Sequence, residues 1–213
     1  MLELRSVRKS YQGRVVIQKE SLLLDNGIYW VRGANGSGKT TFLKMVAAML
    51  PFDGDITCNG TSQKKDPTGY RRLVGWAEAE PSYPDFITGM DLVRLYQQVR
   101  AEQPAETNEL LERFGMSSFI DDRIGTYSAG MTKRLSLVLA FIGAPSVCVL
   151  DEPLITLDEV SERALCGLIA ERSRQAGTTF LMSSHQAIDP RLAVPGTELI
   201  VMDQTIRFPH EHA

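Results

Sequence analysis

The feature that most constrains the fold is the glycine-rich stretch GANGSGKT at residues 33–40. It follows an apolar, strand-like stretch, GIYWVRG, and precedes TFLKMVAAML, in which apolar residues recur at helical spacing. Glycine lets a loop turn its backbone N–H groups inward, and the start of the following helix adds a partial positive charge. The sequence therefore predicts an anion-binding loop between a strand and a helix, an α/β arrangement.

The loop matches the whole pattern G-x-x-x-x-G-K-[ST], which is typical of sites for nucleoside triphosphates with Mg²⁺. We expect Lys39 to reach the β- and γ-phosphates and the Thr40 hydroxyl to bind Mg²⁺. The flanking strand and helix disfavour a chance match. Kinases, GTPases and motor ATPases share the pattern, so the reaction stays open. The predicted nucleotide-binding residues here are Gly33, Ala34, Asn35, Gly36, Ser37, Gly38, Lys39, Thr40 and Thr41.

Polar residues end two later apolar strands. In SVCVLDEP, Asp151 is a predicted Mg²⁺ ligand and Glu152 is placed to polarise an attacking water. Alone, two acids at a strand end would favour a solvated terminus, but the complete phosphate loop favours catalysis. In FLMSSH, His185 is a predicted contact of the γ-phosphate or of the attacking water, with a structural histidine as the alternative.

Composition limits the partners. A net charge of −3 argues against nucleic acid, which requires a basic face. Three scattered cysteines favour a reducing cytosol rather than a disulfide framework, and the N-terminus lacks the apolar region of an export signal. The longest uncharged run, residues 135–150, is shorter than the roughly 20 residues of a membrane span. We expect a cytoplasmic protein that reaches a membrane only through a partner.

The remaining pattern predicts the organisation of the chain. Three opening stretches resemble partly exposed antiparallel strands, and YRRLVGWAEA contains another strand. A helical insert spans about residues 86–140; Thr88 and Asp91 predict a capping box at its start, and Gly115 a helix stop. The end of the chain predicts strand, helix, strand and a final β segment. We expect one domain over residues 1–213.

A second predicted anion site lies in TYSAGMTKRL, residues 126–135. Ser128 comes where an amphipathic helix begins, so its hydroxyl can cap the helix while the first amides point at an anion. Taken alone, a simple helix cap is the favoured interpretation. Two phosphate-type sites in one small chain require a further explanation.

Five segments together resemble the nucleotide-binding subunit of ABC transporters over nearly the whole chain. They are GANGSGKTT, YSAGM in place of the usual Leu-Ser-Gly-Gly-Gln, VCVLDEP, LITLD and SSH. The resemblance implies a P-loop NTPase fold with a mixed parallel core sheet, an N-terminal antiparallel β subdomain and a helical insert bearing the YSAGM segment. It also implies that Tyr11 stacks on adenine.

The resemblance further implies a head-to-tail pair of subunits, either a homodimer or a heterodimer, that encloses ATP and Mg²⁺. Ser128, Ala129, Gly130 and Asp158 would then contact ATP held by the partner subunit. Hydrolysis would drive a separate transmembrane permease at the inner face of the cell membrane, and the form YSxGMxxRL favours export.

The chain departs from the family pattern at two places. Ala129 and Met131 replace a glycine and a glutamine of the usual segment. The glutamine that ligates Mg²⁺ in the family is replaced by Ala79, so either Glu80 supplies the missing oxygen ligand or the ligand is lost and hydrolysis is slow. The second option makes an ATP-binding regulatory module an alternative. A soluble non-transport ABC ATPase is another; a small-molecule kinase is disfavoured because it has no use for Ser128.

Overall fold

The computed structural model describes residues 1–100, 104–184 and 195–210. Within this part of the chain, no helix is both long and apolar enough to cross a membrane. A short 3₁₀ helix, Ile124–Thr126, precedes the fifth α-helix. In order, the elements are β1 (Leu2–Tyr11), β2 (Arg14–Leu24), β3 (Ile28–Arg32), α1 (Lys39–Val46), β4 (Asp53–Cys58), β5 (Thr61–Ser62), α2 (Pro67–Leu73), β6 (Val74–Ala77), α3 (Gly89–Arg100), α4 (Pro104–Arg113), α5 (Ala129–Phe141), β7 (Val147–Leu150), α6 (Glu159–Gln175), β8 (Thr179–Ser183), β9 (Thr197–Met202) and β10 (Thr205–Arg207).

A six-stranded sheet forms the centre of the fold, in the order β10-β9-β3-β8-β7-β6. Neighbours from β9 to β6 are parallel, and β10 pairs antiparallel with β9. Every residue of β7 and β8 is buried, because both faces of a parallel sheet are covered. The predicted mixed parallel core sheet is confirmed.

A four-stranded antiparallel sheet, in the order β2-β1-β4-β5, lies at the N-terminal side. The expectation that all three opening strands are antiparallel is wrong for β3. This strand runs parallel between β9 and β8, and its residues 28–31 are all buried. An unbroken apolar run marks a central parallel strand, whereas β1 and β2 alternate between buried and exposed positions.

The strand expected in YRRLVGWAEA is confirmed as β6, but a helix that was not expected precedes it. Residues 67–73 form helix α2, and only Val74–Ala77 form a strand. The Asp66 carboxylate caps this helix by accepting a 2.8 Å hydrogen bond from the Gly69 amide, and Pro67 is its first residue. An aspartate followed by proline is a helix-start pattern that accounts for the difference.

The helical region comprises α3, α4, the 3₁₀ turn and α5. Thr88 and Asp91 form the predicted reciprocal capping box, with hydrogen bonds of 3.0 and 3.1 Å. Gly115 follows α4 at a φ of 61°, which suits glycine after a helix end.

Two apolar clusters cover the two faces of the core sheet. Cys148 and Leu150 of β7 belong to the cluster formed with α6 and the helical region. Val147 and Val149 belong to the cluster formed with α1 and the N-terminal sheet. Successive side chains of a strand point to opposite faces, so one short strand joins both clusters. The carboxyl ends of these strands carry the predicted site residues.

We expect Gly75→Ala to lower the free energy of unfolding by about 2 kcal/mol, because overpacking a buried site forces backbone shifts. A Cβ at Gly75 on β6 would lie 2.0 Å from the Ala140 carbonyl oxygen of α5. Gly27→Ala is the matched control, since its Cβ would meet the Tyr29 ring at an ordinary 3.8 Å. Urea unfolding measures both; equal stabilities of the two variants would contradict close packing of α5 on β6.

Candidate functional site

The loop at residues 33–40 joins the end of β3 to the start of α1. Glycine is required at both of its ends. A Cβ at Gly33 would lie 2.3 Å from the Val201 carbonyl oxygen, and Gly38 precedes α1 with a φ of 108°, in the left-handed region. Glycine therefore permits the close approach of the loop to Val201 and the left-handed turn into α1, where the start of a helix favours an anion.

Lys39 lies across this loop. Its ammonium donates hydrogen bonds of 2.8 Å to the Gly33 carbonyl and 3.1 Å to the Ala34 carbonyl, and the residue is largely buried. The positive charge is thus held beside the loop backbone, within the region where an anion would bind.

A cleft of about 390 Å³ opens over the loop. It brings together residues from three distant parts of the chain: the hairpin of β1 and β2, the loop with α1, and the end of β7. Most of the lining residues were predicted from the sequence, and Val16 of β2 is an addition. The lining residues are Tyr11, Val16, Asn35, Gly36, Gly38, Lys39, Thr40, Thr41 and Glu152.

Asp151 and Glu152 follow β7, where parallel sheets bind ligands. Asp151 is only 2% exposed, and its Oδ1 accepts a 2.6 Å hydrogen bond from the Ser183 hydroxyl. The same hydroxyl accepts a 2.8 Å hydrogen bond from the Glu152 amide. Ser183, the last residue of β8, thus orients both acidic residues. The sequence did not predict this role, although the position of Ser183 at a strand end in FLMSSH indicated it.

Glu152 adopts an unusual backbone conformation. Its φ is 45°, in the left-handed region that side chains other than glycine seldom occupy. Such conformations cost about 1–3 kcal/mol and occur at turns and at functional sites, where the surrounding structure enforces them. Here the hydrogen bond from the Glu152 amide to Ser183 helps to enforce it, and the residue faces the cleft.

Lys133 is a second residue that the sequence reasoning missed. It lies on α5, is 0% exposed, and donates hydrogen bonds to the carbonyls of Glu78 (2.7 Å), Ala79 (3.2 Å) and Asp151 (3.1 Å). Burial lowers the pKa of this ammonium to about 8, and the nearby carboxylates of Asp151, Glu152 and Glu78 oppose that shift. Its spacing of four from buried Leu137 indicated that it shares an apolar helix face.

The loop after β6 carries the predicted substitute ligand. Glu78 forms an ion pair with Lys44 of α1. Glu80 is exposed, and the residues that line the cleft in the described part of the chain do not include it. The structure thus does not bring Glu80 to the cleft, and its assignment to Mg²⁺ stays a prediction.

Ser128, Ala129 and Gly130 lie at the start of α5, away from the cleft lining of their own chain. The Ser128 hydroxyl accepts a 3.3 Å hydrogen bond from the Met131 amide, and the Met131 sulfur accepts one of 3.4 Å from the Ser128 amide. The predicted cap at Ser128 is therefore confirmed, and the assignment of Ser128 to an anion stays a prediction. Met131 performs the reciprocal capping that glutamine or glutamate usually provides, which explains why the helix start tolerates this departure.

Asp158 begins α6 and has a similar capping role. Its Oδ1 accepts a 2.7 Å hydrogen bond from the Ser161 amide, and the hydrogen bonds from Ser161 lower the pKa of the carboxyl group. Asp158 is exposed, beside the exposed apolar side chains of Ile155 and Val160. His185, the remaining predicted site residue, lies outside the described residues.

Known proteins resemble this chain in sequence and fold. The family model for ABC transporters matches residues 18–155. The uncharacterized ABC transporter ATP-binding protein YhcH of Bacillus subtilis (strain 168) is 30% identical over 188 residues, covering 87% of this chain and 62% of YhcH. The ABC transporter ATP-binding protein YtrB of the same organism is 31% identical over 192 residues, covering 89% of this chain and 65% of YtrB. The chain thus spans less than two thirds of the length of both relatives.

Solved structures agree in fold. An ATP-binding subunit of an ABC transporter superposes with a TM-score of 0.86 at 23% identity, covering 98% of this chain and 90% of that one. The ATP-binding cassette MJ0796, solved as a dimer in a post-hydrolysis state with ADP and Pi, superposes with a TM-score of 0.79 at 18% identity over the whole of both chains. The chain therefore belongs to the ABC transporter family, and its fold is that of the family's ATP-binding subunit.

Proposed function

We propose that this chain hydrolyses ATP in a head-to-tail dimer and thereby drives transport through a separate membrane permease. The observation that carries the proposal is the cleft, which gathers Tyr11, Lys39, Thr40 and Glu152 from separate elements. An aromatic ring, a cation, a hydroxyl and a carboxylate around a phosphate-binding loop are the groups needed to bind and cleave a nucleoside triphosphate.

ATP would lie along the cleft with its adenine on Tyr11, whose ring is nearly half exposed at the end of β1. Its phosphates would enter the loop at residues 33–40 and accept hydrogen bonds from the loop amides and from the start of α1. The Lys39 ammonium would exchange the carbonyls of Gly33 and Ala34 for the β- and γ-phosphates.

The residues present fit Mg²⁺. Thr40 offers an exposed hydroxyl in the cleft. The Asp151 carboxylate is buried at the end of β7, next in the chain to Glu152, which lines the cleft. Among the described residues there is no cluster of three or more metal-binding side chains. Mg²⁺ in nucleotide sites takes only one or two protein ligands and completes its shell with phosphate and water, so this sparse set is suitable. When bound, the ion neutralises charge that develops on the phosphates.

Glu152 would act as the base for the attacking water. As the water oxygen bonds to the γ-phosphorus, Glu152 takes a water proton and the bond to the bridging oxygen of ADP breaks. We assign His185 to contact the γ-phosphate or this water. The strained backbone of Glu152 and its hydrogen bond to Ser183 support a fixed carboxylate position.

The start of α5 would complete the site of a partner subunit. Ser128 and Ala129 are exposed and do not line the cleft of their own chain, so an anion held by another chain can approach them. We assign Ser128, Ala129 and Gly130 to the γ-phosphate held by the partner, and Asp158 to the same interface. The dimeric cassette MJ0796 with ADP and Pi is the related arrangement that supports this assignment.

The permease would dock on the helical region at the inner face of the cell membrane. Phe86 is 76% exposed, and Leu95 and Val99 of α3 are also exposed apolar residues, which supports an apolar docking surface. Together with the loop at residues 78–84, this surface would transmit closure of the dimer. We infer export from the form of the YSAGM segment at residues 127–131.

Phosphate release from ATP, measured against protein concentration, tests this function. A head-to-tail dimer predicts that turnover per chain rises with concentration until the dimer saturates, because each site requires two chains. The rival function is a regulatory module that binds ATP without turnover, favoured by Ala79 at the glutamine position. Tight ATP binding without phosphate release at any concentration would support that rival.

Ser128→Asp is expected to lower turnover at least about 30-fold while the helix stays capped, since aspartate is a good N-cap but repels phosphate. Ser128→Asn keeps the cap without the charge and should retain most activity. Phosphate release measures the turnover. Thermal unfolding shows whether the helix cap is kept, because loss of an N-cap lowers stability. Equal activities of the two variants would remove Ser128 from the proposed site.

Glu80→Ala is expected to raise the Mg²⁺ concentration needed for half-maximal turnover about 10-fold, if an acidic oxygen replaces the family glutamine. A magnesium titration of phosphate release at constant ATP measures it. Glu112→Ala, at an exposed glutamate of α4, is the control. An unchanged titration for Glu80→Ala would remove it from the metal site.

A further inference from the structure

We propose that Lys133 is a positioning residue, which ties the start of α5 to the catalytic ends of β6 and β7. This inference rests on the proposed function and deepens it: contact of Ser128 with the partner's phosphate would be transmitted through Lys133 to the backbone of Asp151. Lys133 itself touches neither the cleft nor the exposed face.

The hydrogen bonds of Lys133 are complete. A lysine ammonium has three N–H donors, and here three carbonyls accept them, at 2.7, 3.2 and 3.1 Å. Two of these carbonyls, of Glu78 and Ala79, follow β6, and the third, of Asp151, follows β7. The two strands are parallel neighbours, and the Asp151 amide also donates a 2.8 Å hydrogen bond to the Ala77 carbonyl. One buried cation thus joins two strand ends to one helix.

The connection continues on both sides of Lys133. Toward the surface, Ser128 lies five residues earlier on the same helix, which is about 7.5 Å along the axis. Toward the cleft, the Asp151 carboxylate accepts a hydrogen bond from Ser183, whose hydroxyl also holds the Glu152 amide. A displacement of the start of α5 would therefore move Lys133 and, through its hydrogen bond, the backbone of Asp151. The hydrogen bonds of Ser183 would extend this effect to Glu152.

The loop after β6 is held from two directions. Lys133 binds the backbone of Glu78, while the Glu78 carboxylate pairs with Lys44 on α1, the helix that follows the phosphate loop. Ala79 stands where the family has its metal-binding glutamine, and an alanine side chain can bind neither metal nor phosphate. In this chain the Ala79 carbonyl accepts a hydrogen bond from Lys133, which also donates one to the Asp151 carbonyl. Lys133 thus links the loop to the backbone that carries the acidic residues.

A lysine is needed here for its hydrogen bonds rather than for its volume. A methionine would fill a similar space, but it would leave three carbonyls without their donor at the strand ends. Arginine retains N–H donors and the positive charge, so it should preserve the connection in part. The two substitutions therefore separate packing from positioning.

The experiment compares Lys133→Met, Lys133→Arg and, as a control, Lys64→Met, at an exposed lysine of the turn after β5. Phosphate release gives kcat, titration with a fluorescent ATP analogue gives Kd, and thermal unfolding gives Tm. We expect Lys133→Met to lower kcat about 10-fold or more with Kd within about 3-fold of wild type, because the loop at residues 33–40 is intact. Lys133→Arg should recover most of kcat, and Lys64→Met should match wild type.

Three outcomes would overturn the proposal: kcat unchanged in Lys133→Met, Kd weakened in proportion to kcat, or no recovery in a folded Lys133→Arg. If Lys133→Met does not fold, Lys133→Gln takes its place, because it loses the charge and one of the three N–H donors. Its kcat should then fall while Kd stays within about 3-fold of wild type, and an unchanged kcat would overturn the proposal. A wild-type chain that binds ATP and releases no phosphate contradicts the proposed function instead, and this inference falls with it.

Discussion

Lys39→Ala is expected to weaken ATP binding about 100-fold. The Lys39 ammonium is held at the phosphate loop by hydrogen bonds to the carbonyls of Gly33 and Ala34, and the side chain is largely buried. A charge-assisted hydrogen bond in such a site contributes about 1.5–3 kcal/mol, and 1.4 kcal/mol corresponds to a tenfold change in affinity. Titration with a fluorescent ATP analogue measures the change, and phosphate release should fall below detection at ordinary ATP concentrations.

Lys64→Ala is the matched control, because Lys64 is an exposed lysine on the turn after β5. Its affinity for ATP should equal that of the wild type. Retention of wild-type affinity in Lys39→Ala would show that the loop binds phosphate through its backbone amides alone, and Lys39 would lose its assigned role.

Glu152→Gln is expected to lower turnover at least about 100-fold and to leave ATP binding intact. Removal of a general base costs on the order of 10²–10⁴-fold, and glutamine has the same shape without the ability to take a proton. Because bound ATP is then not consumed, the dimer that encloses it should accumulate. Single-turnover phosphate release and light scattering of the variant with ATP and Mg²⁺ measure both effects.

Glu112→Gln, at an exposed position of α4, makes the same chemical change outside the cleft and should leave turnover unchanged. A Glu152→Gln variant with at least half of the wild-type turnover would exclude Glu152 as the base. A variant that is slow but stays monomeric with saturating ATP would instead count against the dimer.

Helices and strands were predictable from the sequence where a local pattern of residues determines them. The helix predicted between the last strands forms as α6, and the reciprocal cap of Thr88 and Asp91 forms as expected. The direction of β3 was not predictable from local alternation, because parallel pairing is decided by distant strands that cover both faces. Helix α2 was missed although Asp66-Pro67 indicated its start.

The candidate site divides in the same way. The sequence predicted eight of the nine cleft-lining residues, because a phosphate loop imposes its own spacing on the chain. It did not predict Ser183 or Lys133, whose partners are backbone and carboxylate groups brought together only by the order of strands in the sheet. Lysine is usually exposed, so only its position on an apolar helix face distinguishes a buried lysine from a surface one in the sequence.

The most direct measurement mixes two inactive chains. Lys39→Ala retains an intact Ser128, and Ser128→Asp retains an intact phosphate loop, so a head-to-tail pair of the two contains one complete site. The account predicts negligible phosphate release from each chain alone and recovery to about one quarter of wild type in an equimolar mixture, since random pairing makes half the dimers mixed and each has one of two sites. A mixture no more active than the sum of its parts would contradict the shared site.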